Sequence, residues 1–424
     1  MDKFIIKGGN RLHGRVKISG AKNGALALMP ATILAPGTYH LHNTPNLRDV
    51  WTMSRLMTEL GAFCELNDND LFIDTTNLNK TTAPYEHVKN MRASFYVLGP
   101  LLARFGEAKV SLPGGCAWGP RPVDLHIKGM QKLGADIKLE NGYIIAKAEK
   151  LIGAKIHLDV SSVGATGNIL MAATLAKGTT IISNAATEPE ITALARMLVK
   201  MGAKINGIGT AILEIEGVDR LNPVDETSIP DRIEAATYLI AAAATGGAIE
   251  LENVNPYHLT AVIAKLEECG CEINVNSDNI FITAKQPVKK AVDIKTAIYP
   301  GIPTDIQAQW TALMACKCEG NSKITDTVYT DRFKHIPELI RLGADIDIVD
   351  NSAFVKSSPD KTLVGAQVMA SDLRAGAALI IAALSAEGTT EIHRIYHIDR
   401  GYEAIEKKLT NLGAYIKRVR TDLI

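Results

Sequence analysis

Apolar and polar positions along this chain form a pattern that repeats six times. An amphipathic helix closes on a short apolar-Gly-small phrase at Leu60-Gly61-Ala62, Leu133-Gly134-Ala135, Met201-Gly202-Ala203, Cys269-Gly270-Cys271, Leu342-Gly343-Ala344 and Leu412-Gly413-Ala414. The glycines stand 73, 68, 68, 73 and 70 residues apart, a period too regular for chance. The last copy shows the grammar: a 3.6-residue pattern over Tyr402 to Leu409 predicts a helix with a cationic end, and Tyr415 to Val419 predicts a strand. A second phrase runs in step, an Ala-rich helix apolar nearly all round, then a Thr/Ile strand. It occurs as Ala172 to Lys177 before Gly178-Thr179-Thr180-Ile181-Ile182, and as Ala382 to Glu387 before Gly388-Thr389-Thr390-Glu391-Ile392. Each copy therefore alternates strand and helix, with one helix polar on a face and the other expected to be buried. Three copies per domain make two similar α/β domains, joined near the polar Asp225 to Pro230 segment.

Length agrees, since 424 residues exceed what one core usually supports. Lys+Arg and Asp+Glu balance at 46 each, which removes the basic field that nonspecific nucleic-acid binding needs. The opening residues Met1 to Gly9 lack a secretory apolar core, and no apolar run approaches the ~20 residues of a membrane span, so a soluble, cytoplasmic protein is expected, with no membrane or nucleic-acid partner. The six cysteines are too sparse for a disulfide scaffold. Cys269-Gly270-Cys271 and Cys316-Lys317-Cys318 have the wrong spacing for a zinc knuckle and occupy small-residue positions of the repeat, so packing is expected and no metal or cofactor.

Candidate chemistry concentrates in two places. The stretch Leu112-Pro113-Gly114-Gly115-Cys116-Ala117-Trp118-Gly119-Pro120-Arg121-Pro122 surrounds one thiol with glycines and prolines, the makeup of a lid that carries a reactive group over a ligand. The buried helices, moreover, begin with cations: Lys22, Arg92, Arg232 and Arg374. A helix N-terminus is already partially positive, so each costs about a few tenths of a kcal/mol unless an anion or a neighbouring acid compensates. Arg232 has Asp231 and Glu234 nearby and Arg374 has Asp372, but four copies together favour polyanionic ligands.

Eight segments carry a resemblance to a known family: Ser19 to Asn23, Met91 to Ser94, the thiol loop, Ser162 to Thr166, Pro303 to Gln309, Asp331 to Phe333, Ser371 to Ala375 and Tyr396 to Tyr402. With these in order over essentially the whole chain, the sequence resembles the UDP-N-acetylglucosamine 1-carboxyvinyltransferases, enolpyruvyl transferases of peptidoglycan synthesis. The resemblance implies two inside-out α/β barrel domains, each of three βαβαββ repeats, six in all. Domain 1 would cover 22–229 and carry the Cys116 loop; domain 2 would combine 1–21 with 230–424, and the active site would lie in the cleft between them.

The implied reaction moves the enolpyruvyl group of phosphoenolpyruvate to the 3′-hydroxyl of UDP-N-acetylglucosamine by addition and elimination, releasing phosphate. It needs one acid and one base. By resemblance Cys116 is the acid and Asp305 the base, although Asp305 after Pro303-Thr304 also reads as a helix cap. Lys22, Arg121 and Arg400 would grip phosphate and carboxylate, Arg332 and Arg374 would complete the cationic ring, and Arg92 would help close the site. Asn23 would orient the sugar, Arg121, Pro122, Val123, Asp124 and Leu125 with Ser162 and Val163 would hold uridine and diphosphate, and Val328 would touch the sugar. Cys116 also implies alkylation by fosfomycin. The histidines His126, His335 and His397 are assigned to packing and hydrogen bonding.

Three positions depart from the family pattern: Tyr96 where Trp often stands, Val160 in place of a lysine, and bulky Trp118 in the loop. They bear on nucleotide affinity and loop motion. Two alternatives compete: the shikimate-pathway enolpyruvyl transferases, against which the loop cysteine and Arg121 to Asp124 argue, and a non-catalytic binding paralogue, against which the retention of Cys116, Asp305, Lys22 and Arg400 argues.

Overall fold

The structure, a computed structural model, describes residues 2–89, 91–112, 123–284 and 290–420. Cys116, Arg121 and Pro122 therefore lie outside the described residues. The chain divides into two units, Gly20–Ile229 and Met1–Ser19 with Pro230–Ile424.

Six four-stranded sheets account for the six sequence copies. The copy between residues 155 and 216 shows the pattern. Lys155–His157 leads through the buried helix Val163–Ala173 to Thr179–Ser183, which it pairs in parallel; the amphipathic helix Pro189–Lys200 then leads to Lys204–Asn206 and Ile212–Glu216, and the latter strand joins the sheet antiparallel between its neighbours. The strand order is the same in all six sheets, but three of them borrow a strand from elsewhere in the chain. Glu226–Thr227 pairs with Thr38–His42 to complete the first sheet of its unit. His13–Lys17 pairs with Ala248–Glu252, and Asp2–Lys7 inserts between Thr389–His393 and Tyr415–Arg420.

The recurring glycine has a common cause. All six hold φ between +89° and +110°, where a Cβ is disfavoured, and the residue that follows donates its N–H back to the last helical turn, as Ala62 does to Met57 and Cys271 to Leu266. The other helix of each copy forms the core. Arg232–Thr245 and Gln307–Ala315 are buried at every position, and Leu373–Ser385 is buried except at its two ends. In the other unit Lys22–Ala31 exposes only Asn23. Close approach between such helices demands small residues: a Cβ on Gly99 would sit 2.4 Å from the Asn168 carbonyl oxygen.

Two elements differ from expectation. The helix predicted from Tyr402 begins at Ile405, because residues 395–400 form a 3₁₀ turn and Tyr402 is drawn into the core, with Ala404 at φ 46° taking up the change of direction. Arg92 opens a 3₁₀ segment, Arg92–Val97, and the α-helix starts at Leu98. Pro100 has no N–H to reach back one helical turn, which keeps that turn from being fully α-helical.

Candidate active site

In the unit that contains residues 230–424, the site is built around Asp305. It lies in the 3₁₀ turn Thr304–Ile306 that leads into the buried helix Gln307–Ala315. Its Oδ1 accepts from Arg332 Nη1 at 2.7 Å and its Oδ2 from Arg374 Nη2 at 2.8 Å. Burial alone would raise the carboxyl pKa, but the two guanidiniums outweigh it and hold Asp305 well below the usual carboxylate range. Arg374, almost wholly buried, is correspondingly held as a cation: burial opposes its charge and Asp305 more than restores it. The expected capping role of Asp305 is not seen, since no side-chain cap bond forms at that helix start.

Asp372 does not pair with Arg374. Its Oδ1 instead caps the helix, accepting from the Arg374 and Ala375 backbone N–H groups at 2.8 and 3.1 Å, and this leaves the Arg374 guanidinium to Asp305. Asp231 likewise caps Arg232–Thr245 through Ile233 and Glu234, while the Arg232 guanidinium lies over the Tyr299 ring. Capping by the acid that precedes each cation lets a helix begin with a wrong-signed residue.

Asp326, which sequence reasoning missed, ties Val328 to this centre. Its Oδ1 accepts from the Val328 and Tyr329 backbone N–H groups and from Thr296 Oγ1, and its Oδ2 from Thr304 Oγ1 at 2.7 Å. Thr304 Oγ1 in turn accepts from Arg332 at 3.1 Å. Val328 itself is exposed. Arg400 ends the 3₁₀ turn Ile395–Arg400, and its neighbour Asp399 is gripped by both Nη atoms of Arg418, at 3.0 and 2.6 Å. A second missed cluster lies at the crossover: Lys408 Nζ reaches Glu234 Oε1 and Ser19 Oγ, each at 2.7 Å, and Ser19 Oγ donates to Glu403.

The Gly20–Ile229 unit holds the other described candidates. Lys22 is buried and its Nζ sits 2.9 Å from Asp49 Oδ2, a partner sequence reasoning did not find; Asn23 beside it is exposed. Val123 is buried just before the helix Asp124–Lys132, with Asp124 exposed and Leu125 half-buried. This segment meets Ser162 and Val163 through His126. The ring packs where a Cβ on Gly164 would stand 3.1 Å from it, and its Nδ1 accepts from Asn168 Nδ2 at 3.0 Å, because the Asn168 Oδ1 is taken by the Gly99 N–H. That leaves the ring proton on Nε2. Burial, with Arg92 adding to it, pushes the His126 pKa down to about 3. Ser162 caps the helix Val163–Ala173 through Ala165, and Tyr96 donates to the Val163 carbonyl at 3.2 Å, so that Arg92, Tyr96, Val123 to Leu125, Ser162 and Val163 share one region.

Among the described residues no three His, Cys, Asp or Glu are grouped to hold a metal ion, and no helix is long and apolar enough to cross a membrane. Cys269, Cys271, Cys316 and Cys318 are buried, and burial pushes the thiols of Cys271 and Cys316 up to about 11.

Known proteins resemble this chain over essentially its whole length. Residues 6–409 match the EPSP synthase (3-phosphoshikimate 1-carboxyvinyltransferase) family. The chain is 56% identical, over 100% of its length and 98% of the relative's, to the UDP-N-acetylglucosamine 1-carboxyvinyltransferase of Chloroherpeton thalassium. It is 55% identical to that of Geobacter metallireducens over 99% of this chain and 100% of the relative. Among solved structures, the enolpyruvyl transferase NikO from Streptomyces tendae superposes with a TM-score of 0.89 at 26% identity, covering 99% of both chains. An EPSP synthase from Acinetobacter baumannii has the same fold, with a TM-score of 0.77 at 19% identity over 99% of this chain and 100% of that one. The six sheets around buried helices are thus the inside-out α/β fold of these enzymes, and the chain belongs to the UDP-N-acetylglucosamine 1-carboxyvinyltransferase family of enolpyruvyl transferases.

Proposed function

We propose that this protein transfers the enolpyruvyl group of phosphoenolpyruvate to the 3′-hydroxyl of UDP-N-acetylglucosamine and releases phosphate, the committing step of peptidoglycan synthesis. The observation that carries the site assignment is the Asp305 carboxylate, held ionised between Arg332 and Arg374. An ionised acid among cations suits a base that must lie beside an anionic co-substrate. Full-length identity above half to relatives of that name supports the substrate pair.

In the addition step the sugar oxygen bonds to C2 of phosphoenolpyruvate, its proton passes to Asp305, and C3 takes a proton from Cys116. Elimination then returns a proton from C3 to the Cys116 thiolate and expels phosphate from C2, which leaves with the proton that Asp305 had taken. A thiol is mostly protonated at neutral pH and suits donation. A carboxylate clamped by two guanidiniums is a weak base, and phosphoenolpyruvate competes for those same guanidiniums. Its arrival therefore raises the proton affinity of Asp305 at the moment when a base is needed. Lys22, Arg121 and Arg400 supply the remaining fixed positive charge. Asn23 and Val328 face the sugar; Val123 to Leu125, Pro122, Ser162 and Val163 hold the nucleotide, and Arg92 helps close around it.

The test measures inorganic phosphate released from phosphoenolpyruvate with UDP-N-acetylglucosamine and, separately, with shikimate 3-phosphate. Release with the sugar nucleotide alone is expected. Release with shikimate 3-phosphate alone would assign the sister reaction, and release with neither would leave a binding protein.

A further inference from the structure

Resting on the assignment of Asp305 as the base, a further role falls to three residues behind it. Asp305 occupies one side of the Arg374 guanidinium; the other side is held by a phenol. Arg374 Nη1 donates to the Tyr402 oxygen at 3.0 Å. The proton order follows from the neighbours. Thr237 Oγ1 donates to the Ile233 carbonyl at 2.8 Å, so toward Tyr402, 3.0 Å away, it can only accept. Tyr402 therefore gives its proton to Thr237 and presents its lone pairs to Arg374 and to Gln309 Nε2, the latter at 3.1 Å. Burial, only partly offset by Arg374, raises the Tyr402 pKa, which keeps the hydroxyl protonated for that task.

Gln309 closes the loop. The same Nε2 lies 2.9 Å from the backbone carbonyl of Asp305 itself and 3.2 Å from Thr237 Oγ1. Thr237, Gln309 and Arg374 come from the three buried helices of this unit, and Tyr402 from the turn after the Ile395–Arg400 segment. Gly401 packs that turn closely on the helix start: a Cβ there would stand 2.5 Å from Leu373 Cδ1. Arg332, the other half of the clamp, donates to the Thr304 hydroxyl beside Asp305 and lies over the Tyr329 ring.

We propose that Tyr402, with Thr237 and Gln309, is a positioning residue that fixes Arg374 on Asp305, so that the carboxylate keeps one defined orientation when the anionic co-substrate competes for the clamp. Removing the phenol oxygen lets Arg374 turn toward the same anion, and the base loses its defined orientation.

The experiment compares wild type with Tyr402→Phe, Thr237→Val and Thr237→Ser. For Tyr402→Phe and Thr237→Val the expected result is kcat lower by about tenfold or more, as for loss of a hydrogen bond to a charged group, with both KM values within about twofold. Thr237→Ser, which keeps the accepting hydroxyl, is expected to stay near wild type. A rise in KM at unchanged kcat, or equal losses for the Ser and Val variants, would overturn the proposal. A second measurement needs no turnover: NMR of the free protein labelled with ¹⁵N-arginine, with the Arg374 signals assigned by their loss in Arg374→Lys. Guanidinium proton exchange should be slow in wild type and at least tenfold faster in Tyr402→Phe; unchanged exchange refutes the positioning role. If wild type fails to release phosphate, the assignment of Asp305 falls, and proton exchange still decides whether Tyr402 holds Arg374.

Discussion

Acidification from pH 7.5 to 5.0 should weaken this protein through two histidines that the reaction does not use. His126 and His335 are buried, one in each unit, and burial pushes the pKa of each down to about 3. In the unfolded chain both would titrate near ~6.5. Between those values the unfolded state binds the extra proton and the folded state does not. The stabilisation is therefore complete above ~6.5 and is lost as pH falls toward 3, by about 1.4 kcal/mol per pH unit for each ring. Acidification to 5.0 thus costs about 2 kcal/mol per histidine. Asp305 has the depressed pKa of a paired carboxylate, and its contribution starts to fall only below ~4, outside this window. Glu234 opposes the trend, because burial raises its pKa and its protonation favours the folded state. Comparison with His335→Leu and His126→Leu removes that background. Urea unfolding of the three proteins at both pH values should show wild type losing about 2 kcal/mol more than either variant. Identical pH dependence in wild type and variants would refute the reasoning.

Three other outcomes are expected. Asp305→Asn should lower kcat by roughly 10²–10⁴-fold, the usual worth of a general base, with the fold intact by circular dichroism. Cys116→Ser should reduce phosphate release, and fosfomycin with the sugar nucleotide should abolish it in wild type; full activity after treatment would remove the thiol from the chemistry. Gly99→Ala would place a methyl 2.4 Å from the Asn168 carbonyl oxygen and 2.5 Å from its Oδ1, and should lower stability by about 1–3 kcal/mol in thermal unfolding, because the atoms met are a helix backbone and a side chain already bonded to the Gly99 N–H and to His126.

The repeat could be read directly because its cause is local. A glycine at positive φ after an amphipathic helix is demanded by the turn itself, and it recurs wherever the turn does. Two buried helices, Val163–Ala173 and Leu373–Ser385, were equally visible, since residues apolar nearly all round leave no face for water. What sequence reasoning missed depends on partners far apart in the chain. Lys22 is 27 residues from Asp49, Asp326 reaches Thr296 and Thr304, and Tyr402 meets Thr237 across 165 residues. Such pairings come from the stacking of repeats, which no short motif encodes. The helix predicted from Tyr402 begins later for a related reason: Tyr402 is drawn into the core to meet Arg374 and Thr237, and Ala404 at φ 46° turns the chain before the helix starts.

The borrowed strands impose an order on assembly as the chain leaves the ribosome. Gly20–Ile229 is continuous, and once Glu226–Thr227 has emerged every strand of its three sheets is available. Asp2–Lys7 must wait for Thr389–His393 and Tyr415–Arg420, which are made more than 380 residues later. At roughly 5–20 residues per second this strand spends tens of seconds without its partners. Its alternation of Lys3 and Lys7 with Phe4 and Ile6 then matters for a different reason, because charge on an unpaired strand discourages it from pairing with the wrong chain. A nascent chain that stalls after residue 229 would therefore carry one finished unit and two orphaned strands at its leading end.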